Sequence, residues 1–257
     1  MNTLIIEKSY GIETVTLNRP KALNALNWQV VSELEEAIGK AEESGDVKAI
    51  IITGSGRFFG AGADIAEFAG KDGEGMFSIT HHDHECFLKL IRSSKPIIAA
   101  INGPAFGGGL ELAMSCHIRV ASETAIFGLP EVSLGAIPGG GGTQLLPRLT
   151  GKGAALYYLL TGENIPAPEA YRLGLIDKIV PPDKPMVTAM AIARVITQKA
   201  PIAVRLILEA VNKGLELDLA SSLKIEEELW RKCGDTEDFQ EGVKAFMEKR
   251  PVVFKGR

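Results

Sequence analysis

Alternation dominates the first stretch of the chain and then gives way to a helical period. Leu4-Ile5-Ile6-Glu7-Lys8 and Ile12-Glu13-Thr14-Val15-Thr16-Leu17 read as two strands joined by a hairpin turn at Ser9-Tyr10-Gly11, and Asn18-Arg19-Pro20 ends the second. Val30, Val31, Leu34, Ala37 and Ile38 then recur at helical spacing, with Glu33, Glu35, Glu36 and Lys40 on the opposite face. Ala49-Ile50-Ile51-Ile52-Thr53 is a short unbroken apolar run, which suits a strand buried on both faces. Gly54-Ser55-Gly56 stops it.

Residues 70–78, rich in glycine and charge, are expected to form a mobile loop ahead of a helix over 79–93. The buried-strand signature returns at 96–103. A glycine turn follows, then a helix over about 107–116 and strands near 118–121 and 125–127. From Gly141 the pattern is helical almost throughout, interrupted by a strand at 175–180 and by prolines. The Pro181-Pro182 step divides an α/β core, residues 1–182, from a C-terminal helical region, residues 183–257, with helices over about 184–198, 202–213, 217–232 and 235–248. No strict repeat or low-complexity segment is present.

Composition narrows the classes. A chain of 257 residues, 46% apolar and 23% charged, can bury a sizeable core. Its net charge of -4 is scattered, which leaves no basic footprint for nucleic acid or an anionic membrane. Cys86, Cys116 and Cys233 lie far apart with no Cys-x-x-Cys spacing, so neither a disulfide framework nor a zinc site is signalled. No apolar run is long enough to span a bilayer, and the first residues have no signal-peptide layout. A cytoplasmic protein is expected; a processed mitochondrial form would look the same.

Between Lys95 and Arg148 only Glu111, Arg119, Glu123 and Glu131 are charged, and glycines crowd the interval at 107–109 and 139–142. An ionised side chain in such surroundings is costly unless something needs it. The glycines do not make a nucleotide site: 60–65 lacks the third glycine of the dinucleotide fingerprint, and no Gly-x-x-x-x-Gly-Lys-Ser/Thr occurs. There is no Gly-x-Ser-x-Gly elbow either. What these glycines permit, besides close packing, is an approach of backbone N–H groups to a ligand oxygen.

Gly108 stands at the expected start of a helix, where unpaired N–H groups and the dipole favour negative charge. With a second N–H from the Gly62-Ala63 turn it would make an oxyanion hole. Glu111 follows three residues later on nearly the same helical face. An acid in a first turn also complements the dipole, but Phe106, Leu110, Leu112, Ala113 and Met114 give Glu111 no solvated face. Glu131, after Gly128-Leu129-Pro130, would equally begin a helix with proline at its first position. Two carboxylates beside an oxyanion hole suit addition or removal of water next to a carbonyl, with Gly139 lending a further N–H to orient that water. His81, His82 and His84 read as a solvated turn rather than a metal cluster, and His117 as a helix-ending residue. Lys21, Lys249, Arg250, Lys255 and Arg257 are the candidate phosphate contacts.

The stretches 18–25, 60–65, 95–103, 107–113, 127–131 and 137–143, in this order and spacing, resemble the enoyl-CoA hydratase (crotonase) family over essentially the whole chain. The resemblance implies an α/β spiral of ββα units with a C-terminal helical trimerisation region, giving homotrimers commonly stacked into hexamers. It implies a CoA thioester whose carbonyl is held by the N–H groups of Ala63 and Gly108. Glu111 would activate the water and Glu131 would serve the α-carbon proton. Ala61 would line the adenine pocket, and Lys21 would lie near the CoA phosphates. Ala22, Leu23, Asp64 and Ile65 would complete the CoA contacts on that side, while Phe246 and Lys249 would approach from the C-terminal helix. Coenzyme A is then part of the substrate and no separate cofactor or metal is implied. An isomerase of the Δ3,Δ2 type, the main alternative, would usually lose the first glutamate. A non-enzymatic, RNA-binding relative would lose a glutamate or gain a basic helix. His117 departs from the family, where Asp often follows the cysteine, and fatty acid β-oxidation is the implied setting.

Overall fold

A computed structural model describes residues 1–257. Its frame is a six-stranded sheet in the order β1 (Leu4–Ser9), β2 (Ile12–Leu17), β3 (Ala49–Gly54), β4 (Ile97–Ile101), β6 (Ile118–Ser122) and β9 (Lys178–Val180). The β1–β2 pair is antiparallel and every other pairing is parallel. Tyr10 (φ 52°) and Gly11 (φ 75°) make the predicted hairpin, since a two-residue turn needs left-handed backbone at both positions. A smaller sheet joins β5 (Ala105–Phe106), β7 (Ile126–Gly128) and β8 (Ile165–Pro166), and Gly60 extends it by a bridge to Ala105. From β4 to β7 the strands alternate between the two sheets, with helices or short turns between them, which builds the spiral of ββα units.

The apolar runs of β3 and β4 divide by their period of two. Ile50, Ile52, Ile97, Ala99 and Ile101 enter a large core together with Val30, Val31, Leu34, Ala37 and Ile38 of α1 (Trp28–Glu43). Ala49, Ile51, Ile98 and Ala100 face the other way, against Ala189 and Ala193 of α7 (Pro185–Thr197). Each buried isoleucine of these strands contributes ~1.5–3 kcal/mol, which is why the runs show no polar alternation. α7 therefore covers the second face of the sheet. The Pro181-Pro182 step turns the chain back onto the core rather than away from it.

Three expectations are corrected. Residues 70–78 are not a loop throughout: α2 runs from Gly73 to Ile91, because Asp72 caps it by accepting from the Gly75 N–H at 3.0 Å. His81, His82 and His84 accordingly lie within this helix, where the His82 ring stacks 3.9 Å from Trp28. The strand near 175–180 begins only at Lys178, because the Leu175 carbonyl is engaged by the buried Arg119 Nε at 2.9 Å. Arg119 also pairs with Asp177, so this isolated charge ties β6 to the segment before β9.

The remaining helices follow the glycine and proline punctuation: α3 (Gly108–Met114), α4 (Gly142–Thr150), α5 (Lys152–Thr161), α6 (Ala167–Arg172), α8 (Pro201–Gly214), α9 (Leu219–Gly234) and α10 (Glu237–Met247). His117 pins the end of α2 to β4, its Nδ1 accepting from the Ile97 N–H at 3.0 Å and its Nε2 lying 3.2 Å from the Ile91 carbonyl. Burial lowers its pKa and keeps the ring neutral.

Candidate active site

Two glycine segments touch backbone to backbone at the start of α3. A side-chain carbon on Gly109 would stand 2.3 Å from the Gly60 carbonyl oxygen, so only glycine lets these segments meet. The Phe106 N–H donates to the Gly60 carbonyl, and Leu26 bridges to Ala63. This crossing brings the Ala63 nitrogen within 3.5 Å of the position a Cβ on Gly108 would occupy. Neither the Ala63 nor the Gly108 N–H finds an acceptor among the turn, loop and cap hydrogen bonds of the chain. Two free donors at one place, one of them opening a helix, form a receptacle for an oxygen that gains negative charge.

Glu111 lies one turn into α3 and is 2% exposed. Its Oε1 accepts from the Gly142 N–H at 2.7 Å, so the carboxyl caps the start of α4. Burial pushes its pKa up to about 8; the Gly142 and Gly140 N–H groups act in the opposite sense, and the Glu131 and Asp83 charges add to the rise. This contact accounts for two glycines of the 139–142 run. A side-chain carbon on Gly140 would stand 2.7 Å from Glu111 Oε2, and one on Gly142 only 3.0 Å from Oε1.

Glu131 sits in the short 3-10 turn Pro130–Leu134. Its Oε2 is buried and has no hydrogen-bond partner. Burial raises its pKa as well. Thr80 of α2 adjoins Gly139, its Oγ1 lying 3.1 Å from where a Cβ on that residue would be. Sequence reasoning overlooked Gly140 and Gly142, whose signal was the glycine run itself, and Asp83. Asp83 is a half-buried carboxyl on α2 that burial, and then the Glu67 charge, raise to about 7.

On the expected CoA side, Leu23 (φ 52°) and Asn24 (φ 57°) both hold left-handed backbone, and the Ala61 N–H donates to the Leu23 carbonyl. Lys21, Leu23 and Ile65 are exposed there, with Ala22 and Ala61 partly covered. Asp64 is occupied by Arg19 at 2.9 Å and shapes the turn. Phe246, 86% exposed, and Lys249 stand at the end of α10, which packs on α9. Nothing within the chain draws these two toward Glu111. No group of three or more His, Cys, Asp or Glu residues is placed to hold a metal ion.

A ββα spiral carrying two unpaired N–H donors beside two desolvated glutamates defines a protein built for acid–base chemistry next to a polarised carbonyl. The comparisons agree. The family model described as enoyl-CoA hydratase/isomerase matches residues 7–257, and the chain belongs to that family, with its crotonase fold. It is 46% identical over 261 residues to the short-chain-enoyl-CoA hydratase of Clostridium acetobutylicum, covering 100% of this chain and 99% of that one. It is 42% identical over 252 residues to the crotonyl-CoA hydratase of Syntrophomonas wolfei, covering 98% and 97%. The crystal structure of an enoyl-CoA hydratase from Bacillus anthracis superposes with a TM-score of 0.96 at 37% identity, covering 99% of this chain and 100% of that one.

Proposed function

We propose that this enzyme adds water reversibly across the 2,3 double bond of a trans-2-enoyl-CoA to give a 3-hydroxyacyl-CoA. The observation that carries the reading is the convergence of Glu111 and the unpartnered Glu131 Oε2 beside two free N–H groups. The thioester oxygen would accept from the Ala63 and Gly108 N–H groups, drawing electron density from C3. One such donor is typically worth ~3 kcal/mol of transition-state stabilisation.

Glu111, ionised, takes a proton from water as the hydroxide oxygen bonds to C3. Glu131, protonated, gives its proton to C2 on the same face as the enolate collapses. The pair begins with one proton on Glu131 and ends with one on Glu111, and exchange with solvent resets it. Two desolvated carboxyls near one another share a proton readily, because ionising both would place like charges together. Gly139 and its neighbours in the glycine run would orient the water. The step is redox-neutral, so coenzyme A enters only as part of the substrate. An isomerase needs a single carboxyl to carry a proton between carbons, which leaves the buried, helix-capped Glu111 without a task.

The same reading assigns CoA to Lys21, Ala22, Leu23, Ala61, Ala63, Asp64 and Ile65. Phe246 and Lys249 would meet it from a neighbouring subunit in a homotrimer, two of which would stack into a hexamer. Exposed Ile207 and Val211 of α8 and Trp230 of α9 support such an assembly. No helix is long and apolar enough to cross a membrane. The setting we infer is cytoplasmic fatty acid β-oxidation. The decisive experiment follows loss of the conjugated-thioester absorbance of crotonyl-CoA; no turnover by the wild type refutes the assignment.

A further inference from the structure

α2 presents Thr80, Asp83 and Phe87 at i, i+3 and i+7, a single stripe on the helix. The two ends of that stripe lie against the glycine run that holds Glu111. Thr80 Oγ1 is 3.1 Å from the Cβ position of Gly139. Phe87 Cε2 and Glu111 Oε2 lie 2.8 and 2.7 Å from that of Gly140. The stripe is thus the wall beside Glu111, and Asp83 is its middle member.

No cation answers this carboxyl. Lys89, the lysine of the same helix, is paired with Glu35 of α1, and Asp83 takes part in no ion pair. It makes no side-chain hydrogen bond, whereas the neighbouring His82 is held by Ser32 at 3.1 Å and by Trp28. The charge that bears on Asp83 is Glu67 of the 65–67 turn, and those that bear on Glu111 are Glu131 of the 130–134 turn and Asp83 itself; Glu35 and Lys89 answer each other. His82, His84 and Glu85 are the neighbours of Asp83 on α2. The one charge that acts closely on Asp83, Glu67, is acidic.

We propose that Asp83 is a positioning residue for the hydration step, a third carboxyl whose charge acts on Glu111 and sets the pH range in which Glu111 takes a proton from water. An apolar side chain would complete the wall without the cost of desolvating a carboxyl. A charged Asp83 instead opposes ionisation of Glu111 and makes it a stronger base once ionised, near the pH at which the enzyme works. The inference rests on the reading of Glu111 as the water-activating group.

The test measures kcat/KM for crotonyl-CoA from about pH 6 to about pH 9 in the wild type, Asp83→Asn and Asp83→Glu. With the Asp83 charge gone, Glu111 ionises more easily, so the acidic limb of Asp83→Asn shifts to lower pH while Asp83→Glu keeps the wild-type limb. A purely structural role lowers kcat in both and moves neither limb, which overturns the proposal. Should Asp83→Asn not fold, Asp83→Ser is read in the same way. Carbon NMR titration of the Glu111 carboxyl, assigned by its loss in Glu111→Gln, separates the two levels of inference. A wild type without turnover refutes the hydratase reading. A Glu111 titration unmoved by Asp83→Asn refutes the coupling whatever the reaction.

Discussion

The Glu131 carboxyl occupies the space that a side chain on Gly107 would need: its Oε1 lies 2.9 Å from the Cβ position of that residue. Gly107 also has a φ of 47°, rare for any residue with a side chain. Gly107→Ala should therefore displace Glu131 and strain the entry to α3 together. We expect kcat/KM on crotonyl-CoA to fall by roughly 10- to 100-fold and stability by ~1–2 kcal/mol. Near-normal turnover in a folded Gly107→Ala protein would show that the position of Glu131 does not matter.

Under the proposed mechanism, Glu111→Gln and Glu131→Gln would remove proton transfer at nearly constant volume. Each should lower kcat by about 10²- to 10⁴-fold with little change in KM, because proton transfer strengthens only in the transition state. Steady-state kinetics on crotonyl-CoA checks this. A variant that raises KM alone would reassign that glutamate to substrate binding.

Glu111 also affects stability through pH. Its folded-state pKa of about 8 stands above the ordinary 4.5, so the native protein holds this proton more tightly than the unfolded chain does. That contribution is complete below about pH 4.5 and is lost as pH rises through 8. Glu111→Gln, which cannot ionise, should melt higher than the wild type at pH 8. The difference should vanish near pH 4.5. Calorimetry at the two pH values decides it, and an equal difference at both would place the effect elsewhere.

Asn24 is buried and in left-handed backbone, with Nδ2 donating to the Ser55 and Phe58 carbonyls at 2.9 and 2.8 Å. Its Oδ1 accepts from the Arg19 N–H at 3.0 Å. Asn24→Ala strands these groups and should cost ~2–4 kcal/mol by chemical denaturation. The loosened 19–24 turn carries Lys21 and Leu23, so KM for the CoA substrate should rise more than kcat falls. Unchanged KM would remove this turn from the CoA site.

Ile207 and Trp230 line one apolar groove between α8 and α9, and both are largely exposed. In a trimer built on this face, Ile207→Glu would bury an unpaired charge. Analytical ultracentrifugation should find the wild type trimeric or hexameric and Ile207→Glu shifted toward monomer; an unaltered assembly would exclude the groove from the interface.

The amino-acid sequence alone determined the elements whose cause is local. The hairpin at Tyr10-Gly11, the α1 stripe and the apolar runs of β3 and β4 follow from side-chain period and turn chemistry within a few residues. The spacing of Gly108 and Glu111 likewise placed an N–H donor and a carboxyl on one end of one helix. The tertiary structure decided what depends on segments distant in sequence. Gly60 against Gly109 brings Ala63 beside Gly108, and the Gly142 N–H at the start of α4 reaches back to donate to Glu111. α7 closes the far face of a sheet whose strands look equally apolar on both sides. The start of α2 is not legible in the sequence, where glycine and charge outweigh one capping aspartate, and Asp83 is hidden with it. On sequence a carboxyl among histidines reads as solvated; only the packing of α2 against the glycine run half-buries it, on the stripe whose ends meet Gly139 and Gly140.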